Sequence, residues 1–163
     1  IPFEQVCALP VRDLAASDCA LLLWVTDPML PRALELVKAW GFCYKTVGFY
    51  WMKLNKNVGS YLTEPPYRGP SAALWFSEKD LFTGLGYWTR ANPEQCLLAT
   101  RGHPRRLARD VPRLVVAPRR EHSRKPDEVR RRIERLLPGP YLELFARERA
   151  PGWDAWGDEV EKF

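Results

Sequence analysis

Aromatic, cationic and carboxylate side chains gather at the ends of the apolar runs in this sequence. Trp24 closes one run, and Trp51, Lys53 and Asn55 close a second. The stretch GLGYWTRANPEQ, with Arg90 and Glu94, and then Arg101 lie beside a third. RREHSRKPDE, with Ser123 and Lys125, follows a fourth; Phe145 and Arg147 follow the last, ahead of PGWDAWGDEV. Such a set suits binding: indoles sandwich a planar ligand while Lys or Arg holds an anionic group. A single Trp is more often core than platform, so the convergence of several carries the argument. Other chemistries find less support. His103 and His122 are the only histidines, and neither has a Ser/Asp or Cys/His arrangement around it. GLG at 84–86 lacks the remainder of a dinucleotide fingerprint and reads as a turn. Cys7, Cys19, Cys43 and Cys96 have neither zinc spacing nor a disulfide framework, so no metal is expected.

The elements that must position these residues are legible. CALLLWVT (19–26) reads as a strand buried on both faces. DPMLPRALELVKAWG reads as a helix with Asp27 as cap, Leu30, Leu34, Val37 and Trp40 on its buried face, and Gly41 as its stop. FCYKTVGFYWMKL (42–54) is a second strand, so strand–helix–strand predicts a parallel pairing with a right-handed crossover. QCLLATRG (95–102), PRLVVAP (112–118) and PYLELFAR (140–147) read as further strands, and KPDEVRRRIERLLPG (125–139) as a helix with an arginine outer face. The alternation predicts an α/β fold with a mainly parallel sheet in a single domain over 1–163. Ligands of such sheets bind beyond the carboxyl ends of the strands. Residues 55–90, rich in Gly, Pro, Asn and Ser, read as a long variable loop.

Composition narrows the partner. Lys and Arg total 25 against 20 Asp and Glu, and residues 101–135 hold 13 of those cations with only 5 acids. That stripe fits a polyanion such as nucleic acid, or else a solvated basic face. No apolar run reaches transmembrane length and no signal peptide is visible, which fits a reducing cytoplasm.

Arg120–Val160 resembles the C-terminal signature of the MT-A family of adenine-N6 methyltransferases, which includes the catalytic subunit of the eukaryotic messenger-RNA adenosine methyltransferase and bacterial and phage DNA adenine methylases. ALLLWVT, WMKLNK, GYWTRANPEQCLLATRG and SRKPDE occur in the family's order, and residues 56–80 match least. The resemblance implies a Rossmann-like methyltransferase fold, S-adenosylmethionine as cofactor and nucleic acid as partner, DNA ahead of RNA; it admits a homo- or heterodimer. By position, Lys125 matches a lysine on the cofactor's methionine part. Glu143, Leu144 and Phe145 match the strand end near the cofactor, and Arg147 matches an arginine at the ribose. Asp158 and Glu159 match a pair gripping the ribose hydroxyls, with Asp158 standing where asparagine is usual. Trp24, Trp51, Glu94 and Ser123 match the adenine pocket, while Lys53, Asn55 and Arg90 would face the polynucleotide.

The family's Asp-Pro-Pro-Trp catalytic loop holds the exocyclic amine and stacks on the base. In this order of elements it belongs upstream of Ile1, so the resemblance implies an N-terminal part, with a strand leading to that loop, outside these 163 residues. Glu64-Pro65-Pro66-Tyr67 comes within one methylene of the motif. It follows a polar, Gly-rich stretch and comes in the wrong order, so it reads as a stiff loop rather than the catalytic one. Two alternatives stand beside the enzyme: a catalytically silent nucleic-acid-binding subunit, and a non-enzymatic RNA-binding domain built on the basic stripe.

Overall fold

The computed structural model describes residues 1–58, 77–121 and 123–163. Glu64–Tyr67 and His122 fall outside that set. Two short helices, α1 (Phe3–Cys7) and α2 (Val11–Leu14), precede β1 (Cys19–Val25). A 3-10 turn over Asp27–Met29 runs into α3 (Leu30–Ala39), followed by β2 (Cys43–Leu54). Then come β3 (Glu94–Arg101), β4 (Leu114–Pro118), α4 (Asp127–Leu136), β5 (Tyr141–Leu144) and β6 (Trp153–Trp156). The fold is mixed α/β.

α3 ends as its sequence requires. Gly41 adopts φ +81°, the Phe42 N–H reaches the Val37 carbonyl at 2.9 Å, and the Gly41 N–H reaches that of Lys38 at 3.0 Å. This is a Schellman stop, sealed by buried Phe42 beside Val37. Asp27 does not cap the helix. Its carboxylate accepts from Gln95 Nε2 at 2.8 Å and so ties the turn to β3. Ala33 and Leu36 join Val37 and Trp40 on the buried face, while Leu30 and Leu34 pack at its margin.

The sheet corrects the expectation of mainly parallel pairing. Its order is β1-β3-β2-β4: β3 lies antiparallel to both β1 and β2, and only β2 and β4 pair in parallel. β1 and β2 do run in the same direction, as strand–helix–strand suggests, but β3 comes back between them. A strand covered on both faces is apolar whichever way its neighbours run, so the sequence could not report β3's direction. β5 and β6 form a separate parallel pair, and no expected strand corresponds to β6.

α3 covers one face of the four-stranded sheet through Leu21, Leu23, Val25, Leu97 and Ala99; α4 covers the other through Phe49, Trp51, Cys96, Val115 and Ala117. A register shift at Gly48 makes this division possible on β2. Val47 pairs with Leu97 and packs on the α3 side, whereas Phe49 pairs with Cys96 and packs under α4. Residues two apart would share a face in a regular strand; the bulge sends Phe49, Trp51 and Lys53 to the other one. A Cβ on Gly48 would lie 3.1 Å from Leu22 and 3.3 Å from Leu98, so a larger residue at the crossing would crowd both side chains.

Candidate functional site

Register alone assembles the first cluster. Trp24 on β1 lies opposite Cys96, and Trp51 on β2 lies opposite Glu94, two residues before Cys96 on β3. Partners across a ladder share a face, as do residues two apart. Trp24, Trp51, Lys53 and Glu94 therefore all stand on the α4 side, at the carboxyl ends of β1 and β2. Lys125 enters from the turn before α4, where Pro126 caps the helix in extended conformation.

The two indoles meet edge to face, with centroids 6.5 Å apart and planes at 77°. Trp51 is fixed by its Nε1–H, which donates to the Ala117 carbonyl at 2.9 Å. Glu94 stands below them with its side chain only 11% exposed; one oxygen pairs with Lys53 at 3.0 Å and the other is bonded by the Lys125 ammonium. Lys125 also lies 5.2 Å from the Trp24 ring centre, and Lys53 lies 5.3 Å from that of Trp51. Burial pushes the Glu94 carboxyl up, but the charge and hydrogen bond of Lys125, with those of Lys53, outweigh it and hold the group below its ordinary value. Glu94 is thus a carboxylate at neutral pH. Burial pushes the thiol of neighbouring Cys96 well up, so it stays protonated and inert.

The second cluster sits at the ends of β5 and β6. Because these strands are parallel, the segments that follow them emerge side by side. Phe145, at φ +58°, contacts Trp156 edge to face at 5.5 Å. Arg147 pairs with Glu159 at 3.1 Å, and Lys162 pairs with the same carboxylate at 2.6 Å. The hydrogen bond from Lys162, then the charge of Arg147, lower the Glu159 carboxyl. A Cβ on Gly157 would lie 2.9 Å from backbone atoms of Ala146, so only glycine lets the two segments close this far. Asp158 is exposed beside Glu159, while Leu144 packs at the margin of the α3-side core.

Ion pairs tie the clusters together. Glu148, one residue past Arg147, accepts from Arg124 at 2.7 Å and from Arg130 at 3.0 Å; Arg124 directly precedes Lys125. Glu143 is held by Arg130 of α4 at 2.9 Å. Ser123 lies exposed at φ +64° on the same turn. Asn55 turns inward: its amide donates to the carbonyls of Lys79 and Leu81 and pins a neighbouring loop. Arg90 is exposed and donates to the Leu85 carbonyl. The α4 part of the basic stripe is largely neutralised, because Arg131 and Arg132 pair with Glu128 and Arg135 pairs with Asp110.

Two residues at the site escape sequence reading. Asn92 spans Lys53, accepting from its N–H at 3.0 Å and donating to its carbonyl at 2.9 Å. Arg119 stacks on the Phe82 ring at 3.5 Å. A polar amide two residues before a strand is the only available signal for Asn92. Arg119 is hidden among the stripe's other arginines.

The family profile described as MT-A70 matches residues 76–159. The chain belongs to the MT-A70 family. It is 32% identical over 162 residues to the type II methyltransferase M.MunI of Mycoplasma sp, a match covering 98% of this chain and 58% of that protein. It is 30% identical over 165 residues to human METTL4, an N(6)-adenine-specific methyltransferase, covering 98% of this chain and 32% of that one. Against the N(6)-adenosine-methyltransferase subunit METTL3 of Danio rerio it is 29% identical over 149 residues, covering 88% and 22%. The chain thus spans between about a fifth and three fifths of these relatives' lengths.

Proposed function

We propose that this MT-A70 domain serves S-adenosylmethionine-dependent methyl transfer to the N6 amino group of adenine in nucleic acid, DNA ahead of RNA. The observation that carries this reading is the charge arrangement under Trp24 and Trp51. Two ammoniums share one buried carboxylate, so the cluster has one positive charge in surplus. An ammonium has three N–H donors, so Lys125 can donate to a second carboxylate while keeping Glu94. This fits the carboxylate of the cofactor's methionine part, with Arg147 and Glu159 at the ribose and Phe145 alongside. When bound, S-adenosylmethionine supplies an electrophilic methyl group on a sulfonium.

The chain's own contribution is placement. Trp24 and Trp51 offer faces and edges to a planar base, and Glu94 can accept a hydrogen bond from an amino group at the same point. Lys53 and Lys125 keep that carboxylate charged and fixed. Transfer between positioned groups gains from orientation and from preorganised charge, without a protein nucleophile. β1, β2 and β4 run in one direction and direct the site to their carboxyl ends, which supports a Rossmann-like arrangement.

A strand and catalytic loop encoded ahead of Ile1 belong to this reading. Among the described strands β1 pairs only with β3, and its apolar residues Ala20–Trp24 are only partly buried. Such an edge invites another strand.

Calorimetric titration of the full-length protein with S-adenosylmethionine tests the reading. Saturable binding, lost in Lys125→Ala, is expected; no binding by the wild type would overturn it. A protein that bound oligonucleotide but not cofactor would instead be a silent subunit. Methylation of matched DNA and RNA oligonucleotides decides between substrates.

A further inference from the structure

The loop over 84–91 presents large apolar side chains to solvent in a fixed shape. Trp88 is 95% exposed, Leu85 85% and Tyr87 82%. Single exposed apolar residues are ordinary, but three within four positions, including a Trp and a Tyr, form a patch that calls for a partner.

The loop is built rather than slack. The Gly84 N–H donates to the Ala91 carbonyl at 2.7 Å and closes the neck. The Thr89 N–H reaches the Tyr87 carbonyl at 2.9 Å, and Arg90 braces Leu85. Trp88 itself has φ +68°, a conformation that costs a non-glycine residue of order 1 kcal/mol or more. Gly86 has φ +58°, and a Cβ there would collide with the Thr89 carbonyl oxygen.

Both feet of the loop stand on Lys53. On one side the Phe82 N–H donates to the Lys53 carbonyl at 2.9 Å; on the other the Asn92 amide spans the Lys53 backbone and also donates to the Phe82 carbonyl at 2.6 Å. Lys53 in turn pairs with Glu94 in the first cluster. The aromatic tip is thus braced against the strand that carries the site. Arg119, stacked on Phe82, places a cation at the same foot.

We infer that this loop is a stacking wedge, in which Trp88, flanked by Tyr87, lies against the face of a nucleic-acid base next to the one held in the site. Every base has a π-face, and an exposed indole beside cations is how proteins hold unstacked bases and fill gaps left in a duplex. A base reaches a recessed site only by leaving its stack, so a rigid aromatic beside the opening favours that state. This inference rests on the nucleic-acid reading of the site.

The test uses the full-length protein, adenine-containing single-stranded and duplex oligonucleotides, and 2-aminopurine placed beside the adenine. Trp88→Ala should weaken oligonucleotide binding roughly tenfold, as loss of one stacked base implies, and more on duplex than on single strand. It should also abolish the 2-aminopurine response, which Trp88→Phe should largely retain. Because Trp88 is exposed, the melting temperature of Trp88→Ala should match the wild type; cofactor affinity should stay unchanged as well. If the wild type binds oligonucleotide and Trp88→Ala binds it equally well, the wedge is overturned while the site reading stands. The wedge is equally overturned if such a variant changes oligomeric state instead, which would mark the patch as a protein contact. If the wild type binds no oligonucleotide, the nucleic-acid reading fails and the wedge with it.

Discussion

Two clusters in this chain use the same kinds of side chain in opposite physical settings. At the ends of β1 and β2, Trp51 is buried under α4 and donates to a buried carbonyl, while Trp24, the two lysines and Glu94 are half-buried beside it. At the ends of β5 and β6, Phe145, Trp156 and Lys162 are more exposed, and the carboxylate of Glu159 is 47% exposed against 11% for Glu94. Both carboxylates have lowered pKa values. In the first cluster that lowering overcomes desolvation; in the second, solvent and salt are close by. A shared inventory of residues therefore does not imply a shared energetic role. A change in the first cluster is expected to cost stability, whereas one in the second is expected to leave the fold alone.

The strongest way to break this contrast is Trp51→Ala. Removing a buried indole and orphaning the Ala117 carbonyl should cost about 3–5 kcal/mol in urea unfolding. Glu94→Gln comes next, since it leaves two half-buried ammoniums without their carboxylate. A loss of about 2–3 kcal/mol is expected, below the range for fully buried pairs because both lysines keep some exposure. A change within about 0.5 kcal/mol would show that solvent already screens the cluster.

Gly48→Ala tests the bulge that brings Trp51 to the site. Crowding against Leu22 and Leu98 should cost about 1–2 kcal/mol and alter the near-ultraviolet circular dichroism of the indoles. An unaltered spectrum would show that the bulge accommodates a methyl group.

The pH dependence separates the carboxylates further. Glu94 titrates lower in the folded chain than in the unfolded one, where the value is about 4.3. Its contribution is therefore complete above about pH 5 and is lost as pH falls through the lowered folded value. Glu94→Gln should flatten that part of the acid limb of the stability curve. Carboxyl NMR titration at high salt should erase the shift of Glu159 and preserve that of Glu94, because exposed pairs are screened first.

Smallest in stability is Glu159→Gln, which should leave the urea midpoint unchanged while reducing S-adenosylmethionine affinity. An unchanged affinity would remove Glu159 from the proposed ribose contacts.

The sequence determined the elements whose signals are local. Gly41 after an amphipathic stretch fixed the end of α3, and the helical pattern of KPDEVRRRIERLLPG located α4. The resemblance reached the matching family through motifs whose order, rather than any one piece, is specific. The same resemblance groups Trp24, Trp51, Glu94 and Ser123 as one pocket; the register brings the first three together, while Ser123 lies exposed on the turn before α4.

Tertiary structure alone decided the direction of β3, the use of Asn55 as a loop brace, and the meeting of Lys125 with Glu94. It also decided that Gly48 is the point where β2 changes face, and that α4's arginines are mostly spent on neighbouring acids. The reason is common to all of these. A cap, a stop or a periodic face is written within a few residues. Pairing direction, charge neutralisation and the partner of a side chain depend on residues tens of positions away, which only the packed chain brings into contact.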